Sequence, residues 1–437
     1  VYLVDVETGT TSKVIDNPGK LGDARYSPGG RHVAMISAAD PNDPAAGRLM
    51  VAAVGDAQLR DLLPDLEGHV SSFRWRDDET LVYVADLGTL REVGTVGLDG
   101  GRSVLVPAST PILSLEDLAD DGTAIFTGNS PQHPNELYSL APGAREARRL
   151  TSSNDWLDDV RLARQEVVEF EARDGLKLEG VLVYPLDYRE GRRYPLILTV
   201  HGGPESHHNN GWMTSYSRFG HIAAARGFAV FYTNYRGSTG RGVEFSKISQ
   251  ADAAGAEFDD LVDAVDHLIE IGLVDGDRVG IMGGSYGGYA SAWATTYYSD
   301  RFAAASPFVG ISDNISKVGT TDIPREMYDV HHLKWLWEDW NYFAERSPIY
   351  YVKRNRTPTL ILHGAEDPRV HPSQSLELFR HLKVLGQAPV RLVLYPGEGH
   401  GNRKSAARLD YTLRVLRWME HYLQGPGGEP PPYEIDY

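Results

Sequence analysis

The chain changes its hydrophobic rhythm once, near residue 160. Before that point short alternating apolar runs recur, each opened by a tight polar turn. "YSPGGRHVAMIS" starts at Tyr26, "WRDDETLVYVAD" at Trp75 and "LADDGTAIFTGN" at Leu118. Between them lie strands that end in turns: "VYLVDVETG", "LMVAAVGD", "VGTVGLDGG" and "LYSLAPG". No long helical pattern interrupts them. A period of roughly 40 to 50 residues is that of four-stranded propeller blades. A β-sandwich with coincidental spacing is the competing reading. The array holds about three and a half units, and a propeller closes with at least about four. Residues 1–160 therefore read as a propeller-type domain that is short or incomplete.

From about Gln165 strands alternate with helices, the pattern of an α/β sheet. "VVEFEA" and "LEGVLVYP" come first, then "YPLILTV", "FAVFYTNY", "RVGIMGG", "FAAASPFVG", "TPTLILHG" and "VRLVLYP". Helical spacing marks "EFDDLVDAVDHLIEIG", the stretch after Ser285 to about Tyr297, one from about Ser373, and a last one. A long irregular segment is expected from about Ile311 to Tyr350. The fold class is an α/β-hydrolase domain over 165–424, mostly a parallel doubly wound sheet, behind the β-rich half. The tail 425–437, "GPGGEPPPYEIDY", is too rich in Pro and Gly to continue a helix.

Composition narrows the function classes. At 437 residues two domains are the default expectation. The chain is 41% hydrophobic and 24% charged, ordinary for a soluble globular protein. A net charge of −17 argues against nucleic acid as a partner, because phosphates would be repelled. No apolar run approaches the roughly 18 residues of a membrane span. With no cysteine there is no disulfide, thiolate metal site or cysteine nucleophile, and the compartment stays open. The chain starts at Val1 without an initiator Met or a signal-peptide pattern, so it reads as processed or as a fragment.

The candidate chemistry centres on Gly283-Gly284-Ser285-Tyr286-Gly287, which fits G-x-S-x-G between an apolar strand and a helix. That context is a nucleophile elbow, with Ser285 on a strained turn above the sheet. A glycine-rich phosphate loop is the alternative. A serine nucleophile needs a base, and the base needs an orienting acid. In this fold they follow in the order Ser, Asp or Glu, His at later strand ends. "LILHGAEDPRVH" supplies Asp367, with Glu366 and Asp313 as competitors. "LVLYPGEGHG" supplies His400, and His371, His381 and His421 fit less well. For the oxyanion, one donor is the N–H of Tyr286. The other comes from "HGGPES", with Gly203 ahead of Gly202. The pair His207-His208 lacks a third ligand at suitable spacing, so no metal and no cofactor is expected.

These motifs in this order ("HGGPES", "TNYRGSTGRG", "GGSYGGY", "HGAEDPRV", "GEGHG") resemble the prolyl oligopeptidase family of serine peptidases. The resemblance covers 165–424 strongly and the propeller half more weakly. It implies a Ser285–His400–Asp367 triad and a site between the domains, screened by the propeller, with short peptides as substrates. Arg369 matches a residue that binds a substrate backbone carbonyl. Val309, Ile311 and Val370 fall where the family draws its S1 pocket, while packing is expected for the tryptophans of "HHLKWLWEDWNYF". The family usually has seven or eight blades. Some branches carry an oxyanion-binding tyrosine where this chain has His201, so the chain is similar to the acylaminoacyl-peptidase-like branch. Three readings follow: an exo- or oligopeptidase; an esterase or amidase with the same triad; a non-enzymatic propeller module. A dipeptidyl peptidase would need acidic residues for a free N-terminal amine, and Glu205 is the one weak candidate. An oligomer could take over the screening. Activity is expected to fall toward acid as His400 gains a proton, and a flat profile through pH 5 to 8 would count against His400.

Overall fold

The computed structural model describes residues 1–13, 15–56, 58–435. The described chain divides into two compact units. The first comprises Val1–Val160, Asn209–Trp212 and Ser238–Ile248; the second holds the rest. The two later segments join the first unit through backbone bonds. Gly88 N–H donates to Gly240 O at 2.7 Å, and Asn210 N–H to Thr89 O at 2.7 Å. Trp212 N–H donates to Asn129 Oδ1 at 2.8 Å.

The first unit contains three antiparallel four-stranded sheets, within residues 21–61, 69–109 and 112–149, and a two-stranded one at Tyr2–Val4 and Thr11–Lys13. Each polar turn named above opens the second strand of its sheet: His32–Ser37, Thr80–Leu87 and Ala124–Ser130. Period-two alternation explains why the sheets stack. On Thr80–Leu87, Leu81, Tyr83 and Ala85 pack with Ile36 and Leu49 of the preceding sheet and with Phe73 of their own. Val82 and Val84, on the opposite face, pack with Leu113, Leu115 and Phe126 of the next sheet. Both faces are buried, so this strand is apolar at nearly every position. Leu81 is fully buried. Its replacement by Ala is expected to cost about 2–5 kcal/mol in urea unfolding of this unit; a loss below about 1 kcal/mol would contradict this packing.

The second unit is built on one eight-stranded sheet. Its strands are β1 (Gln165–Glu171), β2 (Lys177–Val183), β3 (Tyr194–Val200), β4 (Ala229–Asn234), β5 (Val274–Gly284), β6 (Ala304–Phe308), β7 (Thr359–Gly364) and β8 (Val390–Tyr395). Their spatial order is β1-β2-β4-β3-β5-β6-β7-β8. β1 and β2 are antiparallel additions at one edge, and every pairing from β4 to β8 is parallel. This is the α/β-hydrolase sheet, and its connecting helices cover both faces. The principal ones are α1 (Ala256–Glu270), α2 (Tyr286–Thr296), α3 (Ser373–Leu385) and α4 (Ser405–Leu423). Tyr411, Val415, Trp418 and Met419 of α4 join the core on one face. Ala292 of α2 meets Leu378 and Leu382 of α3 in another cluster, over Ile361 of β7.

The segment expected to be irregular is largely helical. It contains Asn314–Thr320, Pro324–Glu326, a π-helical turn at Met327–His332, Trp340–Glu345 and Pro348–Arg354. Each piece is too short to give a readable periodicity, which is why the pattern reads as loop. Packing is not the role of every tryptophan here. Trp337 is 70% exposed and Trp340 56%. Trp335 stacks between Tyr328 and Trp337, with ring centroids 4.7 and 5.1 Å away. The Pro/Gly-rich tail follows the end of α4 and packs back through Arg391, which donates to Pro432 O at 3.2 Å and lies 3.8 Å from the Tyr433 ring centroid. Asp436 and Tyr437 lie outside the described residues.

Candidate active site

The C-terminal ends of β3, β5, β6, β7 and β8 carry His201, Ser285, Val309, Asp367 and His400 respectively on the loops that follow them. Parallel strands point all these ends to the same edge of the sheet, which is where open α/β sheets build sites. Sequence-distant residues therefore meet for a topological reason.

Ser285 sits at the tip between β5 and α2 with φ 59° and ψ −117°. A non-glycine residue at positive φ is strained by about 1–3 kcal/mol and persists only where its surroundings hold it. Here its N–H donates to Phe308 O at 3.0 Å and its carbonyl accepts from Tyr289 N–H at 2.9 Å. The glycines are required by crowding. A Cβ on Gly287 would lie 2.1 Å from Val200 O, and one on Gly283 2.5 Å from the same atom. The turn is thus a rigid elbow that presses α2 onto β3.

The loop after β3 passes directly over this elbow. A Cβ on Gly202 would lie 3.1 Å from Ser285 Cβ and 3.7 Å from Tyr286 N. His201 Nδ1 lies 2.9 Å from Gly202 O. A carbonyl only accepts, so Nδ1 carries the proton and donates. This fixes the plane of the Gly202–Gly203 peptide, with the Gly203 N–H on the side opposite the anchored carbonyl. His201 is itself clamped. Its ring stacks on Tyr235 at 4.4 Å, and Tyr235 Oη donates to His201 O at 3.0 Å. Burial pushes His201 down to about 4, so the imidazole is neutral and keeps an orienting role.

Asp367 is the carboxylate that His400 meets. His400 Nδ1 donates to Asp367 Oδ2 at 2.7 Å, which in the neutral ring makes Nε2 the accepting nitrogen. Asp367 Oδ1 accepts from the N–H groups of Arg369 at 2.8 Å and Val370 at 3.1 Å. Burial acts to raise this carboxyl, but the hydrogen bonds from His363 and His400 outweigh it and hold it well below the usual carboxylate range. His363, fully buried at the end of β7, lies 3.3 Å from Asp367 Oδ2 through Nε2. The same nitrogen donates to Val370 O at 2.7 Å, so His363 fastens both ends of the acid's turn. Among the competitors, Glu366 is exposed. Asp313 caps the helix Asn314–Thr320 by accepting from Ile315 N–H at 2.9 Å. His371 and His421 bond to Ser373 and Glu429 O.

Ser285 and His400 line one cavity of about 380 Å³, together with Gly202, His208 and Val309. Val309 is buried at φ 44°, donating its N–H to Leu362 O at 2.9 Å. Ile311 and Val370 are buried off this wall, at 4% and 1% exposure. Arg369 lines a neighbouring cavity that also reaches His400, and its Nε donates to Asp322 Oδ1 at 2.6 Å. Lys317 holds the backbone of that turn. Its buried ammonium donates to Arg369 O at 2.7 Å, and burial pushes it down to about 8.

Tyr286 contributes two different faces. Its N–H follows the nucleophile, while its side chain is buried and donates to Glu257 Oε1 at 3.0 Å. Glu257, on α1, also accepts from the N–H groups of Ala254 and Gly255. These donors favour the anion, but burial is the larger effect and raises Glu257 to about 8. The sign follows directly. A carboxyl raised in the folded state contributes stability fully present below its unfolded value near 4.5 and lost as pH rises through 8. Wild-type stability is expected to fall across that window with a slope steeper than that of Glu257→Gln by up to about 1.4 kcal/mol per pH unit. Urea titrations at intervals from pH 4.5 to 8.5 measure it, and parallel slopes would show that Glu257 stays ionised.

Among the described residues, the histidine pair His207-His208 joins no cluster of metal-ligand geometry. The group that does bring ligand atoms within 4.8 Å, among the described residues, is Glu205, Glu326 and His331. His331 Nε2 lies 3.0 Å from Glu205 Oε1, so that carboxylate already has a partner. His201, His363, Glu257 and Lys317 were absent from the sequence-based candidates. Only His201 had a readable signal, as the first residue of the "HGGP" loop.

With this geometry in hand, comparison with known proteins places the chain. Residues 214–426 match the prolyl oligopeptidase family. The uncharacterized peptidase YuxL of Bacillus subtilis is 33% identical over 70% of this chain and 46% of its own length. Dipeptidyl aminopeptidase BIII of Pseudoxanthomonas mexicana is 30% identical over 92% of this chain and 53% of its own. The chain thus spans about half the length of these curated relatives. Among solved structures, the acylaminoacyl peptidase of Pyrococcus horikoshii superimposes with a TM-score of 0.83 at 23% identity, covering 100% of this chain and 67% of that one. That likeness extends over both units and shows the fold to be propeller-type sheets preceding an α/β-hydrolase domain. Over residues 214–426, within its α/β-hydrolase part, this chain belongs to the prolyl oligopeptidase family.

Proposed function

We propose that this chain is a serine peptidase that hydrolyses short peptides through an acyl-enzyme on Ser285. The observation that carries the reading is the His400–Asp367 hydrogen bond at 2.7 Å, with His400 on the same cavity as an elbow serine. Ser285 Oγ attacks the scissile carbonyl while His400 Nε2 takes its proton. The tetrahedral oxyanion is bound by the N–H groups of Tyr286 and Gly203, the latter aimed by the His201–Gly202 bond. His400 then gives its proton to the leaving amine, the C–N bond breaks, and the acyl group stays on Ser285. Water, deprotonated by His400, hydrolyses the ester and restores the serine. Asp367 holds His400 in the tautomer with the proton on Nδ1 and stabilises the imidazolium.

Arg369 is assigned to a substrate backbone carbonyl. Its pairing with Asp322 is an exposed one, 42% and 41% for the two side chains, and such pairs contribute about 0–1 kcal/mol. Recruitment of the guanidinium by substrate therefore costs little. Val309 is assigned to the S1 wall, with Ile311 and Val370 behind it. The names of relatives support peptide substrates, since they include acylamino-acid-releasing enzymes and dipeptidyl aminopeptidases.

A fluorophosphonate probe should label Ser285, located by peptide mapping. Matched p-nitroanilides with a blocked or a free N-terminus, set beside p-nitrophenyl esters, then sort peptidase from esterase. Esters turned over with no peptide anilide hydrolysis would favour the esterase reading, and absence of labelling would remove both.

A further inference from the structure

The Ser285 cavity carries a charge pattern unlike the chain as a whole. The chain has a net charge of −17, yet no Asp or Glu among the described residues lines this cavity. Among the described residues, the one on its wall with a permanent charge is Arg218. Arg218 is exposed, and no carboxylate among the described residues pairs with it. His208 and His201 on the same wall are driven low by burial and stay neutral, so they do not repel a guanidinium. An unpaired arginine in a concave site free of acids is a receptor for an anion, and a planar carboxylate matches its paired N–H donors.

Arg218 is also fixed relative to His400. It lies on a small hairpin in which Thr214–Ser215 pairs with Arg218–Phe219. Between those strands, Tyr216 Oη accepts from Asn402 N–H at 3.3 Å, two residues beyond His400. Tyr216 O accepts from Thr412 Oγ1 at 3.0 Å, and its ring meets Tyr411 edge-on at 5.6 Å. Phe219 is fully buried on the other side of Arg218. The hairpin and the loop of His400 are therefore one wall. The histidine that protonates a leaving amine stands on the leaving-group side of the attacked carbonyl.

We propose that this wall is a carboxylate subsite in which Arg218 receives the free C-terminal carboxylate of the departing part of a short peptide. The proposal rests on the reading of Ser285 and His400 given above and adds a substrate class to it: peptides that end one or two residues beyond the cleaved bond. A longer chain or a C-terminal amide places no negative charge there.

The test uses pairs of tri- and tetrapeptides identical except for a free or an amidated C-terminus. Wild-type kcat/KM should favour the acid by about 10- to 100-fold, the range for a charge-assisted pair. That preference should fall to near one in Arg218→Met and be partly kept in Arg218→Lys. Equal kcat/KM for acid and amide in the wild type, or a preference unchanged in Arg218→Met, overturns the subsite. Affinity of Ser285→Ala for the same peptides separates this outcome from failure of the mechanism. If no peptide is cleaved, the peptidase reading fails. Tighter binding of the acid, lost when Arg218→Met is added, then still supports the subsite, and equal binding of acid and amide overturns it.

Discussion

Ser285→Ala is expected to lower peptide and ester turnover on the order of 10⁶-fold while leaving the fold intact. Alanine keeps the Cβ and the backbone of the elbow, including the Phe308 O and Tyr289 N–H bonds that hold it. It removes only Oγ, the atom proposed to form the acyl bond. The melting temperature should therefore stay within about 2 °C of wild type. Substrate affinity should persist, because the oxyanion donors and Arg369 belong to other atoms. Turnover measured with an enzyme preparation cleared of wild type decides the matter. Residual kcat above about one hundredth of wild type would show that another group is the nucleophile. Lost activity with a collapsed melting transition would be a folding effect and would call for Ser285→Cys instead.

Asp367→Asn is expected to lower kcat by about 10⁴-fold with little change in KM. The reason is specific to this site. Two backbone donors, Arg369 and Val370 N–H, point at Oδ1. The amide must therefore keep its carbonyl there and turn its NH₂ toward His400. A donor facing His400 Nδ1 forces the proton to Nε2, and the base is lost. The substitution should also alter acid sensitivity. A carboxyl depressed in the folded state contributes stability present above its unfolded value near 3.8 and lost as pH falls toward the folded value. Wild type should lose that contribution on acidification below about pH 4, and the Asn variant, lacking it, should show a shallower acid limb. Kinetics at pH 7 and urea melts from pH 5 downward measure both. A kcat loss under tenfold would remove Asp367 as the orienting acid.

Much of the candidate site was legible because its residues carry local signatures. Ser285 announces itself through glycines whose crowding is real in the structure, and Asp367 and His400 follow strands in the required order. The supporting groups were not legible for a physical reason. His363 and Glu257 act through burial and a single hydrogen bond to a residue distant in sequence, and neither leaves a mark in periodicity. Lys317 reads as an ordinary surface lysine of a short helix, yet its ammonium is buried on Arg369 O.

The division is clearest in the two units. Alternation and turn residues alone determined that the first half forms antiparallel sheets, since Leu81, Tyr83 and Val82, Val84 must face opposite ways. The alternation of strands with helices likewise marked β3, β5, β7 and β8 as strands of a mostly parallel sheet. Only the tertiary structure decided that residues 209–212 and 238–248 pack with the first unit. Tertiary structure likewise decided that Arg218 stands on the same wall as His400. Local pattern fixes which way a side chain points from its own strand. Which distant chain it meets is set by the packing of the whole sheet, through contacts that no window of the sequence contains.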